Sequence, residues 1–303
     1  MIALRICLLG VMRVSLGAEP VEDKMQRAVK GLLAYLVLFR RVHAREVLLD
    51  LFWGENSEDR ARKCLNTALW RLRKALEPEG VPRGTYLVTT SMGKVGFNRQ
   101  SNYGLDVAEF ETHAQKALAK PYSALTSVEA RTLEDALSLY TGGLLEGFYD
   151  DWVLQERERL YSLELRGLAH LLKYNRHHRD YAKALACGQK ILDLDPLREE
   201  IHREMMRLHA ANRQRTLAVR QYETCCRILD EDLNVGPMEE TRILHNQICS
   251  PNNHSRGLRS SELQTNPGSA RQTLLQAREA LREFDRISKH LQGLTRRLEQ
   301  FIC

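Results

Sequence analysis

Eight side chains in one short stretch, Arg62, Lys63, Asn66, Thr67, Trp70, Arg71, Arg73 and Lys74, supply guanidinium, ammonium, amide, hydroxyl and indole donors. Their chemistry suits an anionic duplex: cations meet phosphate oxygens, while amide and guanidinium groups meet base edges in a major groove. At about 100° per residue, Lys63, Asn66, Thr67, Trp70 and Lys74 share one side of a helix over residues 61–76, flanked by Arg62 and Arg73. Ala61, Leu65, Ala68, Leu69, Leu72 and Leu76 share the other. One side wants a core and the other an anion. Many surface helices carry Lys and Arg only to stay solvated, so the neighbouring elements decide between the two readings.

Those neighbours form a pattern. Residues 27–40 read as a helix, and residues 45–53 as a short second helix ending at Gly54, where a C-cap glycine belongs. Residues 86–90 and 95–98 are strand-like and are separated by the turn Ser91-Met92-Gly93-Lys94, which puts Lys94 at a hairpin tip beside the minor groove. Three helices followed by a hairpin make a winged helix-turn-helix. Residues 4–14 are rich in strand formers and Gly17 breaks them, so a small β-structure precedes the helices. Charge is segregated in the same way. Residues 1–105 hold 17 Lys+Arg against 10 Asp+Glu, whereas the rest of the chain holds 28 against 29. An excess confined to the segment with the groove-reading helix is the footprint of phosphate neutralisation.

The segment from Gln26 to Leu76 resembles the DNA-binding half of the Streptomyces antibiotic regulatory protein family, an OmpR-type winged helix. LYTGGLLEGFYDDW (139–152), DLDPLREEIHREMM (193–206) and AVRQYETCCRILDEDLNVGP (218–237) resemble that family's bacterial transcriptional activator domain. The resemblance runs over roughly residues 4–248. It implies a transcriptional activator that binds promoter-proximal repeats of double-stranded DNA and recruits RNA polymerase through its sigma factor and alpha subunit. It also implies that Gly54, Glu55, Asn56, Ser57, Glu58, Asp59 and Arg60 join two helices and face polymerase.

The residues of the second region support a compatible reading on their own. Residues 127–248 are almost continuously helical in pattern. Ala184 and Ala218 lie 34 positions apart, the tetratricopeptide period, and Pro196 ends the first unit. Stacked helical hairpins offer a surface rather than a catalytic cleft. Trp152, Tyr161, Tyr174 and Tyr222 are expected to pack between helices, and His177-His178, beside Arg176 and Arg179, to occupy a solvated turn. The expected fold is thus mainly α: a winged helix with a small β-sheet at 1–105 and a tetratricopeptide-like domain at 106–249. A Ser/Asn/Pro/Gly-rich linker at 250–270 and an amphipathic helix at 271–303 follow. Phe284, Ile287, Leu291, Leu294, Leu298 and Phe301 mark an a/d seam. It suits either a self-associating coiled coil, giving a homo-oligomer, or a helix folded back on the repeats.

Enzymatic chemistry finds no support in the spacing. The chain lacks G-x-x-x-x-G-K-[ST], G-x-G-x-x-G after a strand, H-E-x-x-H and G-x-S-x-G. Asp150-Asp151 and Glu199-Glu200 are sequence neighbours, which point about 100° apart on a helix, and read as solvated or capping charges. Seven cysteines, odd in number and without C-x-x-C spacing, suit a reduced cytosol and neither zinc nor disulfides. No catalytic residue, metal or cofactor is expected, and no membrane association, and the expected location is cytoplasmic. Two other readings remain open from the residues alone. One is a helical-repeat adaptor that binds a protein partner; the other is a sensor whose activator domain binds a small molecule.

Overall fold

The computed structural model describes residues 4–250. The expected linker beyond Ser250 and the heptad seam therefore lie outside the described residues. The chain opens with β1 (Leu4–Cys7), β2 (Arg13–Leu16) and β3 (Glu19–Pro20), antiparallel in sequence; β6 (Tyr103–Leu105) adds to β1 in parallel, giving the order β3-β2-β1-β6. The strand-like run at 4–14 thus divides in two. Gly10, at φ +93°, turns the chain between the halves.

Three helices follow, α1 (Arg27–Leu38), α2 (Arg45–Trp53) and α3 (Glu58–Leu76), then a hairpin of β4 (Leu87–Thr89) and β5 (Val95–Phe97). Helix α1 is apolar almost all round, and accordingly buries most of its length as the central element of this half. Helix α3 buries Ala61, Leu65, Ala68, Leu69, Leu72 and Leu76 as its periodicity requires, together with Ala75. It begins one turn earlier than expected, at Glu58, so Glu58, Asp59 and Arg60 are helical. The connection itself is only Gly54 to Ser57. Glu58 and Asp59 in the first turn favour that early start, because carboxylates suit the positive end of the helix dipole. Gly54 has a different role from the one expected. Its φ of −58° is right-handed, and glycine is needed because a Cβ would stand 2.6 Å from the Asp50 carbonyl oxygen.

The remaining helices are α4 (Asp106–Leu118), α5 (Ser127–Ser138), α6 (Asp151–His177), α7 (Tyr181–Leu194), α8 (Glu199–Ala211), α9 (Arg215–Leu233) and α10 (Glu239–Cys249). Thr126 and Glu129 close a capping box on α5. Ala184 on α7 and Ala218 on α9 are both fully buried, the close approach their 34-residue spacing demands. Pro196 lies between α7 and α8, where one hairpin gives way to the next.

Glu199 departs from the sequence reading. It is 8% exposed, accepts hydrogen bonds from the Met238 amide (2.8 Å) and the Thr241 hydroxyl, and pairs with Arg203. It therefore ties α8 to the start of α10, and this network stabilises a charge the sequence left to solvent.

A single apolar core runs from the N-terminal sheet through to α8. Three devices join the halves. The Asp106 carboxylate, 3% exposed, accepts from the amides of Leu8 (2.8 and 2.9 Å), Leu9 (2.9 Å) and Val107 (2.7 Å). Burial pushes its pKa up, against the opposing pull of those amides and of Arg5. The segment within LYTGGLLEGFYDDW lies along the N-terminal strand: Gly10 donates to Gly143 (3.0 Å), Leu145 to Leu8 (2.8 Å) and Glu146 to Gly10 (3.0 Å). Finally, Trp152 of α6 enters an aromatic cluster with Tyr35, Phe39 and Phe52 at centroid separations of 5.3, 6.0 and 6.4 Å.

Candidate nucleic-acid interface

Lys63, Asn66, Thr67, Trp70 and Lys74 are all exposed on α3, as is Arg62 at the helix margin, and none is covered by the helical repeats. Arg71 and Arg73 are half-buried. The donors are not equally free. Asn66 accepts from Arg45 through Oδ1, which leaves its amide NH2 to donate outward. The Thr67 hydroxyl donates back to the Lys63 carbonyl at 2.8 Å and keeps only acceptor capacity for an outside group. Arg62 pairs with Glu58, one turn earlier on the same helix. Arg71 donates to Gln26 at the head of α1, and Arg73 to the Thr89 hydroxyl at 2.8 Å. Arg73 thus fastens α3 to the hairpin.

Trp70 is 60% exposed, with the Lys74 ammonium 5.3 Å from its ring centroid. Such a cation–π contact holds both side chains at the surface and keeps the charge presented. Trp70 also lines a cleft of about 550 Å³ between α3 and β4, with Arg45, Asn66, Arg73, Arg83 and Thr89. The indole faces the hairpin side of the helix, which relieves the difficulty of fitting so large a group into the floor of a groove.

The hairpin is anchored from an unexpected direction. His43, in the link between α1 and α2, exchanges backbone hydrogen bonds with Val95 at 2.7 and 2.9 Å, adding a third short strand-like contact to the pair β4–β5. Burial lowers the His43 pKa, against the opposing pull of its contact with the Phe39 carbonyl. At the tip, Gly93 takes φ +77°, Thr90 donates to the Lys94 carbonyl at 2.9 Å, and the exposed Lys94 projects beside the 79% exposed Met92.

Arg45 and Arg83 are the members of this surface that sequence reasoning missed. Neither falls on the α3 periodicity; only the fold brings Arg45 to Asn66 and places Arg83 in the same cleft. The residues expected at the polymerase-facing connection, Gly54, Glu55, Ser57, Glu58, Asp59 and Arg60, are exposed, and Asn56 is half-buried with its amide bonded to the Trp53 carbonyl at 2.9 Å. Among the described residues no group of His, Cys, Asp or Glu is arranged to hold a metal ion, and no helix is long and apolar enough to cross a membrane.

A short connection between α2 and α3, the cationic face of α3 and the flanking β4–β5 hairpin define a winged helix-turn-helix, here packed on a helical domain. The family model "Bacterial transcriptional activator domain" matches residues 105–249. The transcriptional regulatory protein MoaR1 of Mycobacterium bovis is 27% identical over 261 residues, spanning 81% of this chain and 79% of the relative. The regulatory protein AfsR of Streptomyces coelicolor is 31% identical over 251 residues, 81% of this chain but 24% of the larger relative. Among solved structures, Mycobacterium tuberculosis EmbR in complex with a low affinity phosphopeptide shares the fold at a TM-score of 0.66 and 19% identity, over 81% of this chain and 64% of that one. Residues 105–249 thus match a bacterial transcriptional activator domain, and the chain is similar to transcriptional regulators that share this arrangement.

Proposed function

We propose that the chain activates transcription by binding duplex DNA at promoter-proximal repeats through α3 and the β4–β5 hairpin, and by recruiting RNA polymerase. The observation that carries this reading is the exposure of Lys63, Asn66 and Lys74 on one uncovered helix face. In the reading, Asn66 reads base edges, Lys63 and Lys74 meet phosphates, Arg62, Arg71 and Arg73 reach phosphates or guanine, Thr67 accepts from a base amine, and Trp70 packs on the sugar backbone. Lys94 borders the minor groove, and Arg45 and Arg83 add phosphate contacts on the hairpin side. Gly54 to Ser57 and the first turn of α3 face polymerase, with the sigma factor and alpha subunit as its contacting parts. Similarity to the transcriptional regulatory protein MoaR1 and to the regulatory protein AfsR supports the same conclusion. The chemistry is recognition and assembly, without a catalytic step.

Fluorescence anisotropy with the duplex upstream of the chain's own coding sequence tests this. Each lost phosphate contact lowers the slope of log affinity against log salt by about 0.9, so Lys63→Ala and Lys74→Ala should each flatten it by about that amount. Slopes identical to the parent in both variants would remove α3 from the interface.

A further inference from the structure

A second cleft, of about 460 Å³, opens in the activator domain between the 140–143 loop, α6 and the end of α7. Tyr140, Arg157, Glu158, Tyr161 and Glu164 line it, with Leu194 as an apolar wall. Glu164 is more than nine-tenths buried, at 8% exposure, and its Oε2 has no hydrogen-bond partner. An unpartnered buried carboxylate oxygen is costly, and such a group marks a place where a donor is wanted.

The other polar groups define which donor. The Arg157 guanidinium is committed to the protein, donating to the carbonyls of Leu144 (3.0 and 2.8 Å), Leu145 (3.1 Å) and Phe148 (3.0 Å). Tyr161 donates to the Leu194 carbonyl at 3.1 Å, which fixes its ring at the cleft wall. Glu158 stands exposed at the rim. Two carboxylates repel an anion, and two tyrosine rings beside a leucine favour an apolar body carrying positive charge.

We propose that this cleft binds a small organic ammonium, its charged nitrogen donating to Glu164 and its apolar part lying between Tyr140, Tyr161 and Leu194. Burial raises the Glu164 carboxyl to about 7, so a bound cation also relieves the cost of its charge. The site would report to the winged helix along a short route. Thr141, in the cleft loop, donates to the Leu9 carbonyl at 3.0 Å, and Gly10 donates to Gly143 in the same loop. Occupancy would therefore stiffen the joint between the halves.

The test uses the full chain with benzylammonium chloride, and benzyl alcohol as its uncharged analogue, followed by isothermal titration and saturation-transfer NMR at slightly alkaline pH. A charge-assisted bond to a buried carboxylate predicts a preference for the ammonium of at least about tenfold. Glu164→Gln should abolish that preference and Glu158→Gln weaken it severalfold, while Leu194→Trp, which fills the cleft, should prevent binding of both. Circular dichroism checks that each variant folds, and Leu194→Trp tests the site separately from the buried carboxylate. Equal binding of amine and alcohol, no saturation transfer at about 10 mM ligand, or unchanged binding in Glu164→Gln and Leu194→Trp would overturn the proposal.

Discussion

Asp106→Ala removes the acceptor that joins the N-terminal sheet to α4. Three amides, Leu8, Leu9 and Val107, lose partners at 2.7 to 2.9 Å in a site only 3% exposed. Stranded buried N–H groups cost about 1–3 kcal/mol each, and relief of the carboxylate's own burial and entry of water offset part of the total. A net loss of about 3–4 kcal/mol follows, and about half of that for Asp106→Asn, which keeps one acceptor oxygen. Urea unfolding of the full chain, followed by far-ultraviolet circular dichroism at neutral pH, measures it directly. At a slope of about 2–3 kcal/mol per molar urea, the midpoint of Asp106→Ala should fall by about 1–2 M. A variant within about 0.5 kcal/mol of the parent would refute the reasoning, because surface substitutions alone produce shifts of that size.

Trp152→Ala empties the site between Tyr35, Phe39 and Phe52 and should cost about 3–5 kcal/mol in the same unfolding assay, with weakened DNA binding, because Phe52 belongs to α2; a loss below about 1 kcal/mol would mean the cluster collapses around the gap. Glu164 predicts a pH dependence. Its carboxyl is raised from 4.5 to about 7 in the folded chain, so its contribution to stability is full below the ordinary value and is lost as pH rises through the folded one. The parent should thus lose about 3 kcal/mol relative to Glu164→Gln between mildly acidic and mildly alkaline pH. Parallel stability curves for the two proteins would contradict the assignment.

The α3 face was legible because a helix of normal period separates its apolar and cationic residues, and every expected core residue on it is buried. The bounds of α2 were legible from Gly54, although that glycine serves by clearing the Asp50 carbonyl and not as a left-handed cap. Strand β6 was not, since three residues pairing with a strand about 100 positions away leave no local signal. The motif around 139–152 was visible as a motif, but its physical role lies in backbone bonds to Leu8 and Gly10, which no side-chain pattern encodes. Trp152 was read as packing, and it does pack, although its partners on α1 and α2 follow only from the tertiary arrangement. Glu199 was misread because sequence places it beside Glu200, whereas its Met238 and Thr241 partners arrive from about 40 residues away. Arg45 and Arg83 escaped notice for the same reason: spacing along one helix cannot report what neighbouring elements contribute to its cleft.

The central claim, that the Asn66 side of α3 reads sequence in duplex DNA, is tested most directly by the ratio of dissociation constants for the upstream duplex and a shuffled duplex of equal composition, at fixed salt. The parent should favour the upstream duplex by a factor of about 10³ or more; Asn66→Ala should shrink that ratio by about ten- to a hundredfold, whereas Lys94→Ala should weaken both duplexes alike and leave it intact. A parent that binds both duplexes equally, or an Asn66→Ala variant with the parent's ratio, would contradict the account.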